Sequence, residues 1–300
     1  MSLKLIYLIK NLNFQFFNED ENIGILIYEL WSSIAEEEVN RIKTSGKVYA
    51  NCDKCLEFLT SVIKYHYLNR NPQREKQFPD RWNLAKSASI LLTYLSQCTN
   101  HNIIDFVFTL IKEHINSEKS KIKDSVLMAY GSIMETMHES KIKEIIEGSL
   151  PTLINMLADK SLDVRITVSW VIKKICKYHC DRIQVLSNTN PSLLSEFVQT
   201  LIKFLSSNKK VIINICESFN YLAIGANKSL SPGQYRKNFL SAYYEVLFNT
   251  LLNIAYLKDS VTSECNVSLY AFYALSALID NVPADALGFI QSFFGNFVNK

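Results

Sequence analysis

Cysteine and histidine supply the only spacings in this sequence that suit a metal or a redox pair. Cys52-Asp-Lys-Cys55 has the C-x-x-C arrangement, and Cys176, His179 and Cys180 stand close together further along. A structural zinc site takes four ligands, so a lone C-x-x-C needs a second pair. The 176–180 group lies several repeats of helix away and does not provide one. Both sets are therefore read as reduced structural thiols, and no metal or cofactor is expected. The seven cysteines (52, 55, 98, 176, 180, 216, 265) are odd in number and scattered through helical stretches, as in a cytosolic or nuclear protein. The five histidines share no spacing with a nucleophile or carboxylate pair. The eight glycines stand singly, so no phosphate-cradling loop exists. Nothing here reads as an enzyme.

The apolar pattern says what these residues are mounted on. In Leu150 to Cys180, Leu150, Leu153, Ile154 and Leu157 fall on one helical face. A short polar turn from Asp159 to Asp163 follows. Val164, Val168, Val171, Ile172 and Ile175 then line one face of a second helix. Neither helix can bury its stripe alone, so the hairpin needs neighbours of its own kind. Taking Trp170 as reference, the equivalent points are Ser89, Met128 and Glu217, at spacings of 39, 42 and 47 residues. Two helices per unit at that period predict an all-α fold, an α-α superhelix of the HEAT-repeat solenoid type with about six helix pairs. Pro151 in the first helix, Asp159 in the turn and Val164–Arg165 opening the second fit the HEAT pattern in detail. Asp159 is placed to accept bonds from amides at the start of the second helix, and Arg165 to reach the turn of a neighbouring repeat.

Composition agrees. The chain of 300 residues is 48% hydrophobic with only 6 Pro, and Lys plus Arg (32) nearly balance Asp plus Glu (29). A net charge of +3 speaks against nucleic-acid binding. No apolar run reaches the roughly 18–20 residues that span a bilayer.

Along the chain, helices are expected at 3–16 and from the NEDEN turn to Ala35, the latter with Ile23, Ile27, Leu30 and Ile34 inward and a polar connection from Glu36 through Gly46. Others follow at 49–67, from Trp82, at 102–116 and at 120–137. Asn69 to Arg81 reads as an exposed loop. After the central hairpin, CDRIQVLSNTNPS reads as a polar connection. Helices at 193–205 and 209–224, the turn NKSLSPG, and helices Tyr235–Leu257, Val261–Ile279 and Ala284–Val298 complete the pattern. The second helices of the pairs begin near residues 20, 82, 120, 161, 209 and 260. The unshielded apolar helices at both ends lead to the expectation that residues 1–300 are one solenoid segment cut from a longer array.

Several segments occur in an order that resembles one family of such solenoids: ELWSSIAEEE (29–38), RWNLAKSASILLTYLSQC (81–98), FTLIKEHI (108–115), IKDSVLMAYGSIME (122–135) and PTLINMLADKSLDVRITVSWVIKKIC (151–176). Together they are similar to the importin-β (karyopherin-β) family, over nearly the whole chain and most clearly from 81 to 180. The resemblance places this chain in roughly the middle third of that solenoid. It implies helix pairs with A outside and B inside, and a monomer moving between cytoplasm and nucleus through the nuclear pore. It also implies cargo or an importin-α-type adaptor on the B-helix face, Phe-Gly nucleoporins between A helices, and the Ran GTPase mainly on repeats outside this segment. The site residues it implies on the cargo face are Trp82, Asn83, Lys86, Met128, Glu135, Trp170, Asn214 and Glu217. Trp82 and Asn83 match the family's WN at the start of a B helix, and Trp170 matches a B-helix tryptophan. An indole there would stack on a Lys or Arg of cargo, or else pack between repeats.

The departures concern charge. The family's acidic central loop is here net positive, with Arg70, Arg74, Lys76 and Arg81 against Glu75 and Asp80. Glu217 stands where the family has a tryptophan. Asn100, Lys177 and Ile224 occupy positions commonly acidic in the family, and only Glu135 keeps the charge. Fewer carboxylates mean weaker steering of a basic ligand. A nuclear import receptor segment is thus the first functional reading, and a HEAT scaffold for protein assembly is the second.

Overall fold

The computed structural model describes residues 21–46, 51–69, 82–99, 102–136, 139–228, 236–257 and 266–298, and every regular element among them is helical. The expected helix at 3–16, nearly all of the charged loop and most of the NKSLSPG turn lie outside the described residues. The chain divides into two compact units, Met1–His138 and Glu139–Lys300.

In the first unit, α1 (Glu21–Ser45), α3 (Leu84–Cys98) and α5 (Ser120–Ile133) pack in succession as one layer. Helices α2 (Asn51–Leu68) and α4 (Asn102–His114) cover it from one side. Leu59, Ile63, Leu91, Leu92, Leu95, Val126 and Ile133 fill the space between the layers and are all but inaccessible. Each such side chain contributes about 1.5–3 kcal/mol relative to exposure. Two polar contacts fix the register across it. The Tyr28 hydroxyl lies 2.7 Å from His66 Nδ1, and the Tyr67 hydroxyl 2.8 Å from Ser89 Oγ.

Helix α1 departs from the sequence reading twice. Its core face is Gly24, Tyr28, Trp31, Ala35 and Val39, one residue out of step with the expected Ile23, Ile27, Leu30 and Ile34. Ile23 and Leu30 are exposed. Two competing stripes exist at helical spacing, and the one carrying Tyr28 and Trp31 buries more apolar surface. The expected polar connection from Glu36 is also helix. Glutamates are good helix formers, and Arg41 pairs with Glu37 at 2.6 Å one turn away. The helix stops only where Gly46 takes φ 65 and returns its N–H to the Ile42 carbonyl.

In the second unit, α10 (Lys209–Ala226) packs between α7 (Leu162–Tyr178) and α12 (Val267–Asp280). Helices α6 (Glu139–Met156), α9 (Pro191–Phe204) and α11 (Tyr244–Ala255) back this layer; α8 (Cys180–Thr189) and α13 (Leu287–Val298) complete the unit. The stripes read from the sequence are the core here: Leu150, Val164, Val168, Val171, Ile172, Ile175, Ile215, Phe219 and Leu222 are all fully buried.

Among the described residues, Arg165 bonds within its own turn rather than to a neighbouring repeat. Its Nη1 donates to the carbonyls of Asp159 (2.7 Å) and Lys160 (3.3 Å) in its own turn, while Asp159 Oδ1 accepts from the Ser161 amide at 2.8 Å. The stretch after Cys180, expected as a connection, is α8, because Ile183 and Leu186 are three apart and both buried. The helix expected from Tyr235 starts later, at the 3-10 turn Ser241–Tyr243. Asn238 breaks it: its Oδ1 accepts from the Leu240 amide (2.9 Å), and its own amide donates to Ser241 Oγ (3.1 Å). The next described helix begins at Val267, where Asn266 caps it; the expected start at Val261 lies outside the described residues.

Four helices begin on asparagine. Asn83, Asn190, Asn208 and Asn266 each accept a backbone N–H of the first turn at 3.0–3.1 Å. Such a cap is worth about 0.5–2 kcal/mol.

Candidate functional site

The eight residues in question lie on or beside α3 and α5 in the first unit and on α7 and α10 in the second. In the first unit, Trp82 precedes α3 and is 45% exposed. Asn83 beside it is half-buried, and its Oδ1 is taken by the Lys86 amide as the helix cap. The first duty of Asn83 is thus to start the helix that presents Trp82. Lys86 and Met128 are half-buried on α3 and α5, and Glu135 is exposed just beyond α5.

In the second unit each of the three residues is engaged by another group of the same chain. Trp170 is half-buried, and Lys174 Nζ sits 5.5 Å from the centre of its ring. Lys174 lies equally far from the Tyr178 ring, and Lys177 lies 4.8 Å from Tyr178 and 5.9 Å from Tyr221. The ring faces expected to receive a partner's cation are therefore attended by lysines of the same chain. Glu217 is held by an ion pair: its Oε2 is 2.9 Å from Lys173 Nζ on α7, both side chains being no more than about a quarter exposed. Asn214 is buried. Its Nδ2 donates to Ser169 Oγ at 2.9 Å and to the Ile166 carbonyl at 3.4 Å, which fastens α10 to α7.

One feature of this layer was missed in the sequence. Between α10 and α12 runs a groove of about 430 Å³. Its walls carry Tyr221, Tyr270 and Tyr273, with Asn220 and Asp280 among the polar groups, and Glu217 at its edge. The signal was present: Tyr270, Tyr273 and Asp280 share the face of α12 opposite the buried Ala271, Ala274, Leu275 and Leu278. The groove's aromatic walls and the Asp280 carboxylate suit a cationic or amide side chain.

Among the described cysteines none is disulfide-bonded, and burial pushes the thiols of Cys180 and Cys216 up to about 12. They are not nucleophiles at neutral pH. Cys52 meets Cys98 and Glu38. No helix among the described residues is long and apolar enough to cross a membrane.

The layered helix pairs define an α-helical repeat protein, and residues 150–179 match the HEAT repeat family. The particular likeness is to importin-β. Over 280 residues the chain is 23% identical to importin subunit beta-1 of Schizosaccharomyces pombe, covering 88% of this chain and 30% of the relative. The solved structure of importin beta in an ammonium sulfate condition overlays 95% of this chain on 32% of its own, with a TM-score of 0.81 and 20% identity. The Kap95:Nup1 complex overlays all of this chain on 34% of its own, with a TM-score of 0.75 and 20% identity. The chain thus spans about a third of the length of the proteins it is similar to. The resemblance read from ordered segments in the sequence stands, and so does the helical solenoid fold.

Proposed function

We propose that this chain is a ligand-binding segment of a nuclear transport receptor. It takes cargo or an importin-α-type adaptor on the B-helix face and Phe-Gly nucleoporins on the A-helix face. Ran acts mainly on repeats outside it, and the receptor works as a monomer shuttling between cytoplasm and nucleus. The observation that supports this reading best is the similarity to importin subunit beta-1 along 88% of the chain, with no large region left over for another purpose. Trp82 supplies an exposed indole just before α3 and Glu135 an exposed carboxylate just beyond α5, the two groups a basic segment needs.

The test is anisotropy of a labelled Arg-rich adaptor peptide against the chain at low and moderate salt. Binding is expected to weaken with salt and with Trp82→Ala or Glu135→Lys. It is expected to strengthen with Lys173→Ala, which releases the Glu217 carboxylate. Failure of the peptide and of a Phe-Gly peptide alike to bind above the variants' background would sink the receptor reading. A static scaffold for protein assembly is the second reading. The contacts within α7 and between α7 and α10 support it, because Glu217, Trp170 and Asn214, the groups a ligand would use, are already engaged by Lys173, Lys174 and Ser169.

A further inference from the structure

Three helices of the first unit bring their ends together at one buried point. Glu38 comes from the last turns of α1, Cys52 from the first turn of α2, and Cys98 is the last residue of α3. All three are buried, at 3%, 0% and 6% exposure. A carboxylate oxygen and the two sulfurs all lie within 4.8 Å of one another. The Cys52 amide donates to Glu38 Oε2 at 3.4 Å, which aims that carboxylate at the sulfurs. These residues are 14 and 46 apart in the chain, so no sequence motif marks them.

We propose that Glu38, Cys52 and Cys98 form a binding site for a zinc-class divalent metal ion, held by two thiolates and one carboxylate from three helices.

The donor set is the first argument. Two sulfurs and one oxygen suit a borderline-soft ion that prefers tetrahedral coordination, and exclude calcium or magnesium, which take oxygen alone. The second argument is reach. Metal–sulfur bonds of about 2.3 Å in a tetrahedron put two sulfurs about 3.8 Å apart, so the present separations close onto an ion by side-chain rotation alone. The third argument is charge. Two neutral thiols and one carboxylate carry a charge of −1. Binding a 2+ ion releases two protons to water and forms two metal–sulfur bonds and one metal–oxygen bond. The occupied site is again −1, so metal replaces protons at no added cost in buried charge. Both thiols give up their protons when the ion binds, so occupancy falls as pH drops. Three protein ligands leave a fourth position for water. Cys55, one turn from Cys52, lies outside the ligand set.

The probe is Co²⁺ titrated into the purified, reduced, metal-stripped chain. One equivalent is expected to give the intense visible bands of tetrahedral cobalt and a thiolate-to-cobalt charge-transfer band. Cys52→Ser and Cys98→Ser should each abolish that charge-transfer intensity or halve it. Glu38→Gln should weaken binding about tenfold or more, and Cys55→Ser should leave it unchanged. Added Zn²⁺ should displace the cobalt and raise the thermal midpoint of the wild-type chain. Absence of a thiolate–cobalt band in the wild-type chain overturns the proposal without reference to any variant. A full-strength band in a Cys98→Ser chain of native circular dichroism overturns it too, because it puts the ion on Cys52 and Cys55.

Discussion

Asn214 shows how a side chain can sit at a ligand position and have other work. Its amide bridges Ser169 and the Ile166 carbonyl across two helices. Asn214→Ala removes both bonds from a buried site, and a loss of about 1–3 kcal/mol is expected, read as a lower urea midpoint with unchanged m-value. Because Ser169 keeps its own bond to the Ile166 carbonyl, the low end of that range is the better expectation. Trp170 and Glu217 are likewise engaged by Lys174 and Lys173. The sequence alone could place these residues on one helical face. It could not say that lysines four residues along the helix, or on a neighbouring one, would reach them. Pairing between repeats depends on how the repeats are rotated, and no single-sequence pattern fixes that rotation.

At the scale of the element, legibility followed the strength of the apolar period. The second unit's central hairpin was readable because its stripes are aliphatic, uninterrupted and unopposed. Helix α1 was misread because Ile23-Ile27-Leu30 and Tyr28-Trp31-Ala35 are both helical stripes, and only the packing against α3 decides between them. Helix α8 was overlooked because a ten-residue helix with two buried side chains leaves little periodicity to see. Its tight docking explains Gly225 on α10. A Cβ there would lie 2.7 Å from the Cys180 Cβ and closer still to its sulfur. Gly225→Ala is a better helix former in isolation, yet it is expected to cost about 1–3 kcal/mol through overpacking. Gly225→Ala combined with Cys180→Gly should recover part of that loss, which thermal melts of the single and double variants would register. Full additivity of the two would contradict the contact.

For the whole molecule, the division at residues 138 and 139 carries a prediction of its own. The second unit holds its own layered core, from Leu150 on α6 to Leu278 on α12. Residues 139–300 expressed alone are expected to keep a helical circular-dichroism spectrum and a cooperative melt. A non-cooperative, sloping melt would mean that this core depends on residues before 139.

The asparagines that open α3, α9, α10 and α12 have a consequence for the chain's lifetime. Asparagine is the residue most prone to lose its amide with age, through attack by the backbone nitrogen of the residue that follows. Here the followers are Leu84, Pro191, Lys209 and Val267: three bulky residues that hinder the attack and one with no N–H to deliver it. Where water instead hydrolyses the side-chain amide directly, the aspartate left behind caps as well as asparagine. Its new negative charge falls at a helix start, where the peptide dipoles favour it. Each of these four joints is slow to age, and simple hydrolysis there leaves the helix start intact.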